Sequence, residues 1–169
     1  MATPTTLPAT FTSGQILTAA EQNNLRGAFR ILQVVSASSV PTNVSSSTTA
    51  QVDTNLTATI TPQSASSKIL VFTSQTFDKT AGNAGNGVRT ELHRLVGATD
   101  TQLTNIALTL GYTGTAIYSS FIASSSYLDS PATTSAVTYF TTFANIVAAA
   151  EVIANVGANC SITLMEVSA

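Results

Sequence analysis

The chain has 169 residues, of which 44% are hydrophobic and only 8% are charged, with a formal net charge of −2. This length suits one domain plus an extension, and the combination of apolar content and low charge excludes a disordered chain. The charge balance offers no basic field for nucleic acid or an anionic membrane, and the single cysteine, Cys160, excludes a disulfide framework or a cysteine-based zinc cluster. We expect an ordered fold whose surface is covered mainly by hydroxyl and amide groups.

The N-terminal stretch differs in character from the rest of the chain. Residues 1–10 contain two prolines and lack the basic start and apolar core of a signal peptide, so we expect an extended arm and synthesis in the cytoplasm. Thr18 stands three residues before Glu21, which is the spacing of a capping box, and this predicts a short helix that starts at Ala19.

The predicted helix carries more apolar surface than it can hide on itself. Short isolated helices are only marginally stable in water, so this helix must gain stability by packing on another surface. Packing on its own β domain is one possibility, and packing on a neighbouring subunit is the other. We predict that residues 1–32 form an attachment segment and that residues 33–169 form the β domain. The candidate attachment residues are Phe11, Ile16, Leu17, Leu25, Phe29 and Leu32.

Alternating apolar and polar residues predict strands after the N-terminal segment. The stretches 52–60 and 68–77 alternate most clearly, and further strands are predicted in 88–96, 103–114, 115–123, 136–144 and 160–167. Loops are predicted at 78–87, 97–102 and 124–135, where Gly, Asn, Ser and Pro accumulate. For 145–156 we favour a strand, although its alanines leave a helix open. The predicted core comprises Val52, Leu56, Ile60, Ile69, Val71, Val137, Tyr139, Ile162 and Leu164.

About eight or nine short strands without alternating helices predict an all-β fold. The spacing is typical of an antiparallel β-sandwich, here jelly-roll-like, preceded by the arm and the short helix. The missing βα alternation argues against a nucleotide-binding α/β fold.

Residue types that carry catalysis are scattered, and none forms a recognisable motif. Arg89, Glu91 and His93 share one face of a predicted strand. These residues form either an ion-binding or acid/base group or a polar face with offsetting charges, and we favour the polar face. Serines and aspartates are available for a Ser-His-Asp triad, but no nucleophile-elbow motif is present. We expect no enzyme activity, no cofactor and no metal.

A function that involves sugars, either hydrolysis or binding, remains an alternative. A glycosidase needs two carboxylates that face each other, and Glu151 and Glu166 are the pair that the sequence leaves available. Four tyrosines are also present, and tyrosine can stack on sugars in a carbohydrate-binding module, although in β structure it more often packs.

Three stretches of the β domain resemble structural proteins of tailed bacteriophage virions. These are "VDTNLTATITPQSASSKILV" from Val52 to Val71, "YLDSPATTSAVTYFTTFA" from Tyr127 to Ala144, and the terminal "SITLMEVSA". The opening "FTSGQILTAAEQNNL" is similar to N-terminal segments of phage tail and fibre proteins. The stretch "LVGATDTQLTNIALTLGY" carries no such likeness.

The resemblance implies a virion protein that assembles with itself and with major capsid or tail proteins. A homotrimeric capsid decoration (cement) protein or a short head fibre is the first expectation, because 169 residues leave no room for a long shaft. A tail-fibre tip that recognises a host surface glycan is the alternative. The virion is then the expected final location.

Overall fold

The computed structural model describes residues 31–39, 42–80, 84–147, 150–157 and 160–168, together with residues 14, 16, 18 and 19. From residue 31 onward, the described part of the chain is all β and contains ten strands in two antiparallel sheets. The strands are β1 (Ile31–Ser39), β2 (Val44–Ser46), β3 (Val52–Ile60), β4 (Lys68–Lys79), β5 (Asn86–Val96), β6 (Thr99–Thr113), β7 (Ser119–Asp129), β8 (Val137–Asn145), β9 (Val152–Ala154) and β10 (Cys160–Val167).

Sheet A is built around β4, its longest strand. β10 pairs with the first half of β4 and β9 pairs with its end, while β7 pairs along the opposite edge. β1 continues the sheet beyond β10, and β2 continues it beyond β9. Sheet B has the order β3-β8-β5-β6. The two sheets pack face to face, so the predicted antiparallel, jelly-roll-like sandwich is confirmed.

The inward side chains form two apolar clusters. One is centred on Leu56, Ile69 and Tyr139, and the other on Phe77 and Phe143. Eight of the nine predicted core residues are buried, and the ninth, Val52, is half-buried. The alternation of apolar and polar residues in β3, β4, β8 and β10 therefore predicted the core correctly.

A buried polar layer separates the two apolar clusters. The amide of Gln75 donates to Asn155 Oδ1 at 2.7 Å and accepts from the Thr141 hydroxyl at 2.9 Å. The Thr141 and Thr54 hydroxyls lie 2.6 Å apart, and Asn155 Nδ2 donates to the Thr54 carbonyl at 2.6 Å. Because each group has a partner, the layer avoids the cost of unsatisfied buried polar atoms. It joins β3, β4 and β8 to the residue that follows β9.

Two of the predicted loops are wrong. In 97–102 only Gly97 and Ala98 form the turn, and β6 starts at Thr99. Gly97 has a φ of +59°, which suits a tight hairpin turn. In 124–135 the first six residues belong to β7, because the hydroxyl-rich side chains alternate between water and inward partners; Ser125, for example, lies 2.8 Å from the Thr73 hydroxyl.

Other boundaries also differ from the sequence prediction. The patterns did not predict β1 or the short β2, while the predicted loop 78–87 is shorter because β4 extends to Lys79 and β5 starts at Asn86. Of the uncertain segment 145–156, Val152–Ala154 forms a strand.

Most of the predicted N-terminal arm and helix lies outside the described residues. The predicted boundary at residue 33 falls inside β1, which starts at Ile31. Among the described residues, no helix is long and apolar enough to cross a membrane.

Candidate assembly surface

The outer face of sheet A is the most distinctive surface of the described chain. It consists of every second residue of β1, β10, β4 and β7, the residues whose neighbours along each strand point into the core. Among these outward positions, only Lys68 at the beginning of β4 and Asp78 near its end carry charge. All the others are apolar, serine or threonine.

An apolar row crosses this face on four adjacent strands. Val34 pairs with Met165, Met165 with Leu70, and Leu70 with Leu128. Val34 and Leu128 are 52% and 51% exposed, and Phe72, two residues after Leu70 on β4, is 41% exposed. Antiparallel partners have their side chains close together on the same face, so these five side chains form one continuous apolar patch.

Beyond the apolar row, the outer face of sheet A carries mainly hydroxyl groups. Ser36 and Thr163 pair in the next row, with their hydroxyl oxygens 3.0 Å apart. The row after that consists of serines only. The paired positions in this serine row are Ser38, Ser161, Ser74 and Ser124.

The outer face of sheet B has the opposite character, because charged side chains cluster there. Glu91 lies 3.7 Å from the Arg89 guanidinium and 3.3 Å from His93 Nε2, while Asp100 lies 2.9 Å from His93 Nδ1. The Thr142 hydroxyl lies 3.3 Å from the same Nε2. The structure thus brings Arg89, Glu91 and His93 together on one face, as the sequence predicted.

The geometry of this charged cluster fits a polar face better than a catalytic centre. Both nitrogens of His93 already have carboxylate neighbours, and its ring packs on Phe140 with centroids 5.2 Å apart. No serine hydroxyl is among these neighbours of the ring. Among the described residues, no group of three or more His, Cys, Asp or Glu side chains is arranged to hold a metal ion.

The two carboxylates of the glycosidase alternative do not meet. Glu166 pairs with Ile69 near the beginning of β4, whereas the Glu151 carbonyl accepts from Thr80 just beyond the end of the same strand. Eleven residues of extended chain separate these positions by roughly 35 Å, and glycosidase carboxylates lie about 5 to 10 Å apart. This pair therefore cannot serve as the two carboxylates of one glycosidase site.

The burial and hydrogen bonds of Glu166 fit a structural role. Its side chain is fully buried, accepts from Gln33 Nε2 at 2.6 Å and accepts from the Gln63 backbone N–H at 2.8 Å. Burial alone raises the pKa of this carboxyl, but the hydrogen bonds outweigh it and hold the pKa below the usual value of 4.5.

Two of the candidate attachment residues are among the described ones. Ile16 is 86% exposed, and Leu32 lies half-buried in β1 at the edge of sheet A. Phe11, Leu17, Leu25 and Phe29 lie outside the described residues, so the attachment role stays a prediction.

Sequence reasoning missed the outer face of sheet A as a site. Part of the signal was present, because Leu70 and Phe72 stand on the opposite side of β4 from Ile69 and Val71. The row itself depends on strand register, which joins residues as far apart in the sequence as Val34 and Met165.

Comparison with known proteins supports the fold. The sequence matches no protein-family model and no curated protein. The fold resembles a chain of the crystal structure of the T13 infectious bursal disease virus particle, with a TM-score of 0.51 at 11% identity over 79% of this chain and 30% of that one. It also resembles a chain of the infectious bursal disease virus Gt strain, with a TM-score of 0.50 at 10% identity over 82% of this chain and 39% of that one.

The chain thus spans about a third of the length of the virus chains that it matches. At such low identity the likeness shows the fold alone. This fold is a jelly-roll-like β-sandwich that also occurs in proteins of virus particles.

Proposed function

We propose that this protein is a non-enzymatic structural component of a tailed-phage virion, either a capsid decoration (cement) protein or a short head fibre. In this proposal it assembles as a homotrimer and contacts major capsid or tail subunits. The proposal rests on the sequence resemblance together with a fold that also occurs in virus particles.

The observation that carries the proposal is the outer face of sheet A. A folded protein in water normally places charges on its exposed strand faces, and this chain does so on sheet B with Arg89, Glu91 and His93. Sheet A instead presents the apolar row and the hydroxyl rows. Exposed contiguous apolar patches in soluble proteins mark interaction sites, and the cores of interfaces are depleted in charge.

Desolvation explains why such a face suits assembly. Burying a charge costs several kcal/mol unless a partner neutralises it, whereas apolar groups gain about 25 cal/mol per Å² on burial. Hydroxyl groups can exchange water for hydrogen bonds across an interface. A second protein surface can therefore cover this face without leaving an unpaired charge, as long as Lys68 and Asp78 stay at its margins.

Introducing a charge into the apolar row tests the proposal. Leu128→Asp places a carboxylate beside Leu70 on the face that assembly would bury. We expect this variant to fold but to lose the trimer in light scattering at micromolar concentration, and to stop sedimenting with particles that lack the native protein.

A matched control separates this effect from a general effect of added charge. Thr59→Asp introduces the same group at an exposed strand position on the outer face of sheet B. This variant should assemble and sediment like the unmodified chain. The proposal is wrong if Leu128→Asp assembles normally, or if both variants lose assembly equally.

A further inference from the structure

An open cleft lies at the far end of the outer face of sheet A, beyond the serine row. Its volume is about 450 Å³, within the usual size range of small-ligand sites. It is formed by the end of β4, the beginning of β7 with the residue before it, and the segment after β9. Its lining residues are Thr76, Phe77, Asp78, Tyr118, Ser120, Phe121, Ile122, Val156 and Gly157.

Tyr118 and Asp78 are the polar pair of this cleft. The Tyr118 hydroxyl donates to Asp78 Oδ2, which orients the phenol ring, while the ring itself stays 57% exposed. Asp78 is only 3% exposed, so its carboxylate is held inside the wall. The pair thus consists of an aromatic side chain in contact with solvent and a buried carboxylate that holds it in place.

The remaining walls are held in place before any ligand arrives. The Thr76 hydroxyl donates to the Val156 carbonyl at 2.8 Å, which fixes the segment after β9 against β4. Phe77 and Phe121 stack behind the cleft with ring centroids 6.4 Å apart. Preformed walls reduce the ordering cost of binding.

The charges of the cleft restrict the class of ligand. Asp78 is the only charged residue in the lining, and no Lys, Arg or His contributes to it. Lys79, the next residue along the chain, is fully buried and donates to the Thr113 hydroxyl and to the Thr115 carbonyl, the latter at 3.0 Å. Its ammonium group is therefore engaged by the β6–β7 connection. A phosphate or another anion in this cleft would be repelled by the Asp78 carboxylate, and no cation among the lining residues would offset that repulsion.

A neutral sugar has the complementary chemistry. Its C–H groups can pack on the exposed face of Tyr118, because an aromatic face is electron-rich. Its hydroxyl groups can exchange hydrogen bonds with the exposed Ser120 hydroxyl, while the buried Asp78 carboxylate keeps the Tyr118 ring in position. Ile122, which is 63% exposed at the rim, offers further apolar contact.

We propose that this cleft binds a neutral hexose residue, as found in surface polysaccharides. The cleft and the apolar row are separate, since Thr76 follows Leu70 by six residues of β4, which corresponds to roughly 20 Å. Sugar binding can thus be tested on the purified chain, independently of assembly.

Saturation-transfer NMR tests the proposal with D-glucose, D-galactose, D-mannose and N-acetyl-D-glucosamine, each at millimolar concentration. We expect a signal from at least one of these sugars. Tyr118→Ala removes the ring and should reduce binding at least tenfold, and Asp78→Asn, which keeps the shape of the side chain and removes its charge, should weaken binding several-fold.

Tyr112→Ala is the matched control, because Tyr112 is 56% exposed but does not line the cleft. This variant should bind like the unmodified chain, and cooperative thermal unfolding should show that all three variants are folded. The proposal is overturned if none of the four sugars gives a signal. It is also overturned if Tyr118→Ala and Tyr112→Ala have the same effect.

Discussion

The Arg94 guanidinium on β5 contacts Asp129 on β7, with Nη1 at 2.9 Å from both carboxylate oxygens. The two residues belong to different sheets, so this ion pair ties the sandwich together near one edge. The Tyr139 hydroxyl donates to the same carboxylate at 2.7 Å. Burial, and then the hydrogen bond to Asp129, raise the pKa of Tyr139 far above 10, so the phenol remains a neutral donor.

Removing the Asp129 carboxylate should destabilise the fold strongly. The side chains of Arg94 and Asp129 are only 20% and 7% exposed, so Asp129→Ala leaves a largely buried guanidinium without its partner. Breaking such a pair costs about 3 to 5 kcal/mol. Urea denaturation should show this loss. Glu151→Ala, which removes an exposed carboxylate, should stay within about 0.5 kcal/mol of the unmodified chain. An equal effect of both variants would contradict this role of the pair.

The two faces of β3 should respond differently to truncation. Leu56 is 1% exposed inside the apolar core, and Leu56→Ala should cost about 2 to 5 kcal/mol through lost burial and a cavity. Thr59 is exposed and shares only a surface hydroxyl contact with Thr138, so Thr59→Ala should cost less than about 1 kcal/mol. Chemical denaturation measures both values. Equal losses would mean that the register of β3 is wrong.

The fold was predictable wherever one face of a strand is apolar and the other polar. This pattern identified β3, β4, β8 and β10 and nearly all of the core. It failed for the second half of β7, residues 124–129, where serines and an aspartate look like turn residues. In the structure these polar groups find inward partners, as Asp129 does with Arg94. Such partners come from distant parts of the chain, and local sequence patterns do not reveal them.

The candidate surface was only partly predictable for a related reason. The alternation of β4 already placed Leu70 and Phe72 on the side opposite the core. Their continuation into the apolar row requires Met165 from β10 and Leu128 from β7, which strand register brings alongside. Register is set by pairing between distant segments and by the shape of the connections. The low charge of the face as a whole was therefore visible only in three dimensions.

Acid should weaken the contribution of Glu166 to stability. The folded-state pKa of this carboxyl is lowered, so its stabilising effect is fully present above the unfolded-state value of about 4.5 and is lost as the pH falls through the folded-state value. We expect the difference in unfolding free energy between the unmodified chain and Glu166→Gln to be constant at neutral pH and to shrink below pH 4.5. Denaturation curves at a series of pH values measure it.

An exposed carboxylate provides the control for the pH experiment. Glu151 is exposed at the other end of sheet A, so Glu151→Gln makes the same chemical change without removing a buried carboxylate and should leave the unfolding free energy at neutral pH within about 0.5 kcal/mol of the unmodified chain. A Glu166→Gln difference that does not change between pH 7 and pH 3 would show that the hydrogen bonds from Gln33 and Gln63 do not favour the ionised form.

The N-terminal segment should be needed for attachment and not for folding. β1 starts at Ile31, and Gln33 within it bonds to Glu166, so a chain that begins at Arg30 keeps all the described strands. We expect this truncated chain to melt within a few degrees of the full chain and to form the same oligomer. In sedimentation with particles that lack the protein, it should remain in the supernatant.

Point substitutions within the segment give an independent test of the same idea. Leu25→Asp and Phe29→Asp, each made in the full-length chain, introduce a charge into the apolar face of the predicted helix, where the two residues stand at i and i+4, and should weaken particle binding without changing the melting temperature. Asn23→Asp lies on the opposite face of the predicted helix and should bind normally. Tight binding by the chain that begins at Arg30 would place attachment within the β-sandwich. A large drop in its melting temperature would instead show that the segment packs on its own β domain.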